Sequence, residues 1–305
     1  MVENSNIVKN GKLVSYDNWS EYIDSLKKEV SKTKIIKNEK EAVELLKPKF
    51  LEAVKSRIPT KRFGIFFSGG VDSTLIASTC KKFTDDFVCY TVGIEGSQDI
   101  EWSTKIAKDL KLKHAKKILT LKEMEILFKK IASLLEGDTF NIVNLGVGSV
   151  VFAAIELAEK DKINTFFGGL GSEEIFAGYK RHEDSIDINE ECWQGLKTTW
   201  TRDFQRDYTI AINKKSTFLT PFLDKHLVIE AMKISGELKI NQGHKKYILR
   251  KLAIDLGLKE DYAMRPKIAA QYGSSFDKAI MKLTKAKGFN FKKEYLEYLK
   301  LPQKE

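Results

Sequence analysis

Short, unbroken apolar runs alternate with stretches of helical spacing along most of the chain. Residues 62–67 (RFGIFF) form an apolar run of the kind a buried parallel strand uses. A glycine turn follows, and Leu75, Ile76 and Thr79 then recur at helical spacing. A second strand is expected at 87–94 (FVCYTVGI), a helix from about 99 to 110 and a third strand at 114–121. Helical stretches near 122–135 and 148–159 lead to another strand at 163–167, which runs into a second glycine turn. This alternation predicts an α/β fold built on a doubly wound parallel sheet, with a mostly helical C-terminal part from about residue 185.

The flanks carry weaker signals. Residues 7–14 suggest a small hairpin turned at Asn10-Gly11. Residues 19–30 and 39–54 have the spacing of amphipathic helices, the second with Val43, Leu46, Phe50 and Val54 on one face. Near the other end, Thr220 to Asp224 opens a helix with Leu227, Val228 and Ala231 inward, and 244–256 reads as a basic helix. The expected organisation is a peripheral extension over 1–40, one main domain over 41–285 and a charged tail over 286–305 that frays.

An apolar fraction of 42% in 305 residues supports a sizeable core. No run approaches the roughly 18 apolar residues of a membrane span, and the first residues lack the apolar stretch of a signal peptide. Cys80, Cys89 and Cys192 form neither a CxxC pair nor a zinc pattern, so they read as reduced thiols of a cytoplasmic protein. Lysine and arginine outnumber acids 52 to 42, a net +10 that suits a polyanionic partner, nucleic acid or only ATP and pyrophosphate. The lysines are scattered rather than gathered into a stripe, which favours the small anion.

Chemistry concentrates in Ser68-Gly69-Gly70-Val71-Asp72-Ser73-Thr74. Two adjacent glycines after a strand let backbone N–H groups approach an anion, and the following helix aims its positive end at the same spot. Ser68, Ser73 and Thr74 add hydroxyl donors, and Asp72 offers a carboxylate for a divalent cation. A plain strand-to-helix turn is the bland alternative. The second turn, 168–182 (GGLGSEEIFAGYKRH), again follows a strand with glycines and then acids. Glu173 and Glu174 are either acids enriched at a helix start, or Glu173 joins Asp72 in bridging Mg²⁺ to the pyrophosphate portion of ATP.

The first turn has no lysine, unlike the GxxxxGK[ST] loop, and resembles the SGGxDS signature of the PP-loop ATP pyrophosphatases. With the second turn, the chain resembles the synthetase domain of the asparagine synthetase family, which includes β-lactam synthetases, over roughly residues 40–280. GGLGSEEIFAGY is similar to that family's SGEGxDExFGGY loop, TPFLDKHLV to its PFLD segment, and KKYILRKLA with RPK to its K-x-x-LR and R-x-K elements. The resemblance implies the pyrophosphate-loop role for Ser68, Gly69, Gly70, Asp72 and Ser73, and an ATP-framing backbone at Phe66, Val92 and Gly169. It implies Mg²⁺ on Asp72 and Glu173, and in Lys267 the lysine that neutralises charge growing on the phosphates. Lys246 and Arg250, a turn apart on the expected basic helix, either point to the phosphates or line a solvated face.

The resemblance implies an ATP-dependent amide-forming ligase that activates a carboxylate as its adenylate, releasing pyrophosphate and AMP, with aspartate to asparagine as the family default. Three departures modify it. Only about forty residues, beginning Met1-Val2, precede the synthetase-like region, so the family's N-terminal glutaminase is not expected; free ammonia, another amine or a separate glutaminase subunit would supply nitrogen. Leu170 stands where the SGEGxD loop has its first acid. Gly146 stands where a substrate-pairing arginine is found in the family, which argues against aspartate. Two rival readings remain: a PP-loop enzyme modifying tRNA, and an ATP-binding regulatory subunit without ligase chemistry.

Overall fold

The expected strands pair in parallel into one sheet. A computed structural model describes residues 2–3, 6–266 and 268–301. Its sheet strands are β1 (Val2–Glu3), β2 (Phe63–Phe66), β3 (Phe87–Gly93), β4 (His114–Ile118), β5 (Thr165–Phe167) and β6 (Thr217–Leu219). Their order is β1-β6-β5-β2-β3-β4, every pairing parallel. From β2 the chain steps outward to β3 and β4, then returns to the opposite side of β2 as β5. The winding therefore reverses between β2 and β5, the position where open α/β sheets bind ligands beyond their strand ends. The two glycine turns leave these two strands.

Aromatic packing fixes the sheet's centre. Phe66 stacks on Phe166 across the β2–β5 seam, with centroids 4.8 Å apart and planes 7° apart, and Phe63 stacks on Phe87 at 5.5 Å. Register Ile65 to Phe167 and Phe66 to Tyr90 keeps the ends of β2 and its neighbours level. Gly64 is required there, since a Cβ on it would lie 2.4 Å from the Phe166 ring.

Helices α1 (Tyr16–Val30), α2 (Glu39–Lys55), α3 (Val71–Lys81), α4 (Gln98–Asp109), α5 (Leu121–Leu134) and α6 (Ile142–Ala158) cover the sheet with the C-terminal helices. Capping matches composition: Ser15 accepts from the Asn18 N–H and Asn38 from that of Glu41, while Thr120 and Glu123 cap α5 reciprocally. Trp19, Ile23, Leu26 and Val30 of α1 are buried in the same core. Residues 142–161 match a membrane span in length and hydropathy, and more than half of that stretch is buried within the fold. Cys80, Cys89 and Cys192 are free and buried, and burial pushes all three thiols up.

Three expectations change. The stretch 244–256 is not one helix: His244–Lys245 pairs with Ile240–Asn241, Lys246 adopts φ +56°, and helix begins only at Tyr247. After Thr220 the chain makes a single 3₁₀ turn, Pro221–Leu223, before helix Lys225–Met232, which Asp224 caps. The tail does not fray throughout, since Lys292–Lys300 is a helix that buries Tyr295 and Leu299.

One buried charge is poorly provided for. Lys239 is fully buried, and its Nζ lies 3.3 Å from Met232 Sδ with no carboxylate in ion-pair range among the described residues. Burial lowers its pKa, against weaker opposition from Cys192 and Asp187. Lys239→Met is expected to stabilise the fold by about 1–3 kcal/mol, read from the urea midpoint. The unfolded chain binds this proton more readily, so the wild-type penalty is fully present below the folded pKa and disappears as pH rises through the unfolded value. The gain should therefore shrink in alkaline buffer; a pH-independent gain would assign it to packing alone.

Candidate active site

The first turn is built by glycine geometry and hydroxyls. Gly69 has φ +70°, and a Cβ there would come 2.9 Å from the Ser103 nitrogen, so α4 packs directly on the loop backbone. The Gly70 N–H donates to Ser68 Oγ at 3.2 Å, and Ser73 Oγ donates to the Gly70 carbonyl at 3.2 Å. Gly70 precedes α3 with no side-chain cap, leaving the first turn of that helix for an outside anion. Thr74 is completely buried, and its hydroxyl has no partner among the described residues.

The second turn closes on the first. Gly169 permits contact, since a Cβ on it would stand 3.2 Å from Asp72 Cβ. The short helix α7 (Ser172–Ile175) carries Glu173 toward Asp72. Lys246 Nζ is bound between them, donating to Asp72 Oδ2 at 2.6 Å, Glu173 Oε1 at 2.7 Å and Ser172 Oγ at 3.1 Å. Lys246 is fully buried; burial works against its charge, but the two carboxylates outweigh burial and raise its pKa. The left-handed backbone of Lys246 delivers this ammonium, which explains why the helix starts one residue later.

Phe66 lies half-buried at the end of β2, and Val92 is buried near the end of β3. Lys267 lies outside the described residues. Arg250 is taken up by the backbone: its guanidinium donates to the carbonyls of Lys245, Ala263 and Arg265 at 2.6–2.7 Å, while Asp72 and Glu173 act on its charge without a hydrogen bond. Glu174 also turns away from Glu173. It is buried against Arg202, and burial raises its pKa although Arg202 pulls it down.

Two residues to which sequence reasoning gave no role of their own, Asp99 and the Arg265 of RPK, sit against the loop. Arg265 Nη1 donates to the Ser68 carbonyl at 2.8 Å, and its Nη2 to Asp99 Oδ1 at 3.1 Å. Burial pushes Asp99 up to about 6, with Arg265 pulling the other way. Arg265 is the arginine of the RPK signal, but nothing in the sequence links it to an acid 166 positions away.

The residues suit a magnesium ion shared with phosphate. No group of three or more potential metal-ligating side chains occurs among the described residues. Mg²⁺, however, is commonly held by one or two carboxylates plus substrate phosphates. Asp72 Oδ1 is buried without a partner among the described residues, an orphaned hard oxygen beside Glu173.

On the acceptor side, Leu170 packs half-buried against the core. A Cβ on Gly146 would come 2.9 Å from Gln271 Cβ, so a larger side chain at 146 requires Gln271 to move. Arg206 packs on another face of α6, against Asn144 and Gly148, and its guanidinium is taken by Asp207 at 2.8 Å, Asp203 at 3.1 Å and Asn144 at 3.2 Å.

The family model described as asparagine synthase matches residues 45–220 and 186–288. A Methanocaldococcus jannaschii protein that carries the name of a glutamine-hydrolysing asparagine synthetase is 30% identical, covering 95% of this chain and 61% of its own. The root asparagine synthetase of Pisum sativum is 27% identical over 68% of this chain and 38% of its own. The chain thus spans less than two thirds of either relative's length. Among solved structures, an NH3-dependent NAD synthetase from Campylobacter jejuni aligns at 19% identity with a TM-score of 0.32. That alignment covers 46% of this chain and 60% of the other, too distant to add to the fold read from the strands.

Proposed function

The chain belongs to the asparagine synthase family, and from that premise we propose that it is an ATP-dependent carbon–nitrogen ligase acting on a small carboxylate. The observation that carries this reading is Asp72 and Glu173, from the two glycine turns, meeting on one Lys246 ammonium at the switch point of the sheet. In the proposed reaction a carboxylate oxygen attacks the α-phosphorus of ATP, the bond to the β-phosphate bridge breaks, and pyrophosphate leaves. Ammonia or an amine then attacks the acyl carbon, AMP leaves, and the nitrogen gives up a proton.

The chain's part is chiefly positioning and charge balance. Ser68, Gly69, Gly70 and Ser73 present hydrogen-bonding groups to the phosphates, while Phe66, Val92 and Gly169 frame the nucleotide. Asp72 and Glu173 would hold Mg²⁺, which supplies charge neutralisation on the pyrophosphate leaving group. Lys246 keeps those acids in register, and Lys267 is assigned the cation that meets charge growing on the phosphates. Aspartate is the default acceptor, but Leu170 and the Gln271-filled space beside Gly146 favour a different carboxylate.

The deciding assay measures pyrophosphate and AMP release from Mg-ATP with ammonia present, with and without aspartate and then across other carboxylates. Carboxylate-dependent release is expected. Cleavage to ADP and phosphate would overturn the reading, and release that needs tRNA would transfer it to nucleic-acid modification.

A further inference from the structure

Arg265 and Asp99 form a buried strut on the back of the phosphate loop. Both are about 5% exposed, and the guanidinium lies 5.3 Å from the Trp102 ring centre. The strut is anchored at each end. Arg250 Nη1 donates to Arg265's own carbonyl at 2.7 Å, which fixes the backbone that carries the guanidinium. At the other end, the chain crosses Asp99 so closely that a Cβ on Gly273 would lie 2.4 Å from Asp99 Oδ1. The Ile94 N–H donates to the Ser274 carbonyl at 3.1 Å, tying this crossing to the end of β3.

The consequence for the loop follows from peptide geometry. A trans peptide sets its C=O and N–H on opposite sides, and there is no cis bond here. Holding the Ser68 carbonyl toward Arg265 therefore turns the Gly69 N–H away from Arg265. Gly69, at φ +70°, has no side chain to resist that orientation.

We propose that Arg265, oriented by Asp99, is a positioning residue that sets the phosphate-loop backbone for the triphosphate. It acts on the phosphates through the Ser68–Gly69 peptide and leaves adenosine recognition untouched. Asp99 keeps the guanidinium forked between the carboxylate and the Ser68 carbonyl, a geometry a lysine cannot reproduce. The proposal rests on the ATP-site reading.

The test compares the full chain with Arg265→Lys and Asp99→Asn, two conservative replacements. Binding of α,β-methylene-ATP with Mg²⁺ and of adenosine alone is measured by calorimetry and ligand-observed NMR, and thermal unfolding is recorded for each variant. Both variants are expected to lose about tenfold or more in affinity for the triphosphate analogue, with adenosine affinity within about twofold of wild type. Equal loss for both ligands would reduce the strut to a structural role, and unchanged analogue binding would remove it altogether. If the wild type binds the analogue and the variants match it, only this proposal falls. If the wild type binds neither ligand, the ATP-site reading falls, and the proposal with it.

Discussion

Lys246→Met is expected to destabilise the chain and, at the same time, to stop turnover of ATP. The ammonium is fully buried between Asp72 and Glu173, whose side chains are only 20% and 16% exposed. Removing it takes from both carboxylates the ammonium they share. Breaking a buried ion pair from one side costs about 3–5 kcal/mol, and the residual exposure of these acids places the loss at the lower end. If Asp72 and Glu173 hold Mg²⁺ as proposed, the ion would serve as a substitute cation and should restore stability to the variant by more than it adds to wild type. Thermal unfolding with and without Mg²⁺ measures both effects. A variant as stable as wild type, and indifferent to Mg²⁺, would show that the clamp makes no net contribution.

Asp72→Asn should separate chemistry from stability. The amide keeps the shape, and Lys246 keeps Glu173 as a partner at 2.7 Å and Ser172 at 3.1 Å, so the fold should lose only about 1 kcal/mol. Pyrophosphate release is expected to fall about 10²–10³-fold, the usual consequence of removing one electrostatic group from a reacting phosphate. Raising Mg²⁺ should recover part of the loss if the remaining defect is weak metal binding. Unchanged turnover would move the phosphate end of the site away from Asp72.

The central sheet was legible because its strands are buried on both faces and so read as apolar runs. Expected boundaries at 62–67, 87–94 and 163–167 became Phe63–Phe66, Phe87–Gly93 and Thr165–Phe167. The two strands beyond β5 were not legible. Thr217–Leu219 and Val2–Glu3 are too short to show any period and are held only by their neighbours.

Within the candidate site, the glycine turns signalled themselves through glycines, hydroxyls and acids, and the structure brings Asp72 and Glu173 onto one cation. Lys246 was a candidate for the phosphates, but as a position on a basic helix; that its ammonium joins the two acids was hidden, because a left-handed lysine has no sequence signature comparable to glycine's. The Asp99–Arg265 strut and the contact of Gln271 with Gly146 are meetings of distant segments. Periodicity and local motifs do not encode such meetings.

The order of strands also governs how this molecule can assemble. β2 waits for β5, about a hundred residues downstream, before its second edge is paired, and β1 pairs with residues 218–219. Asp72 meets Lys246 across 174 positions of chain. Such non-local closures delay folding, because the entropy of a large loop is lost before its contacts form. A refolding chain can therefore form the local β3–β4 ladder and its helices early, while the first glycine turn stays unfinished until the C-terminal third has docked. The candidate site is in that sense a product of long-range closure, and a nascent chain lacking the C-terminal third would hold the glycine turn without the cation that organises it.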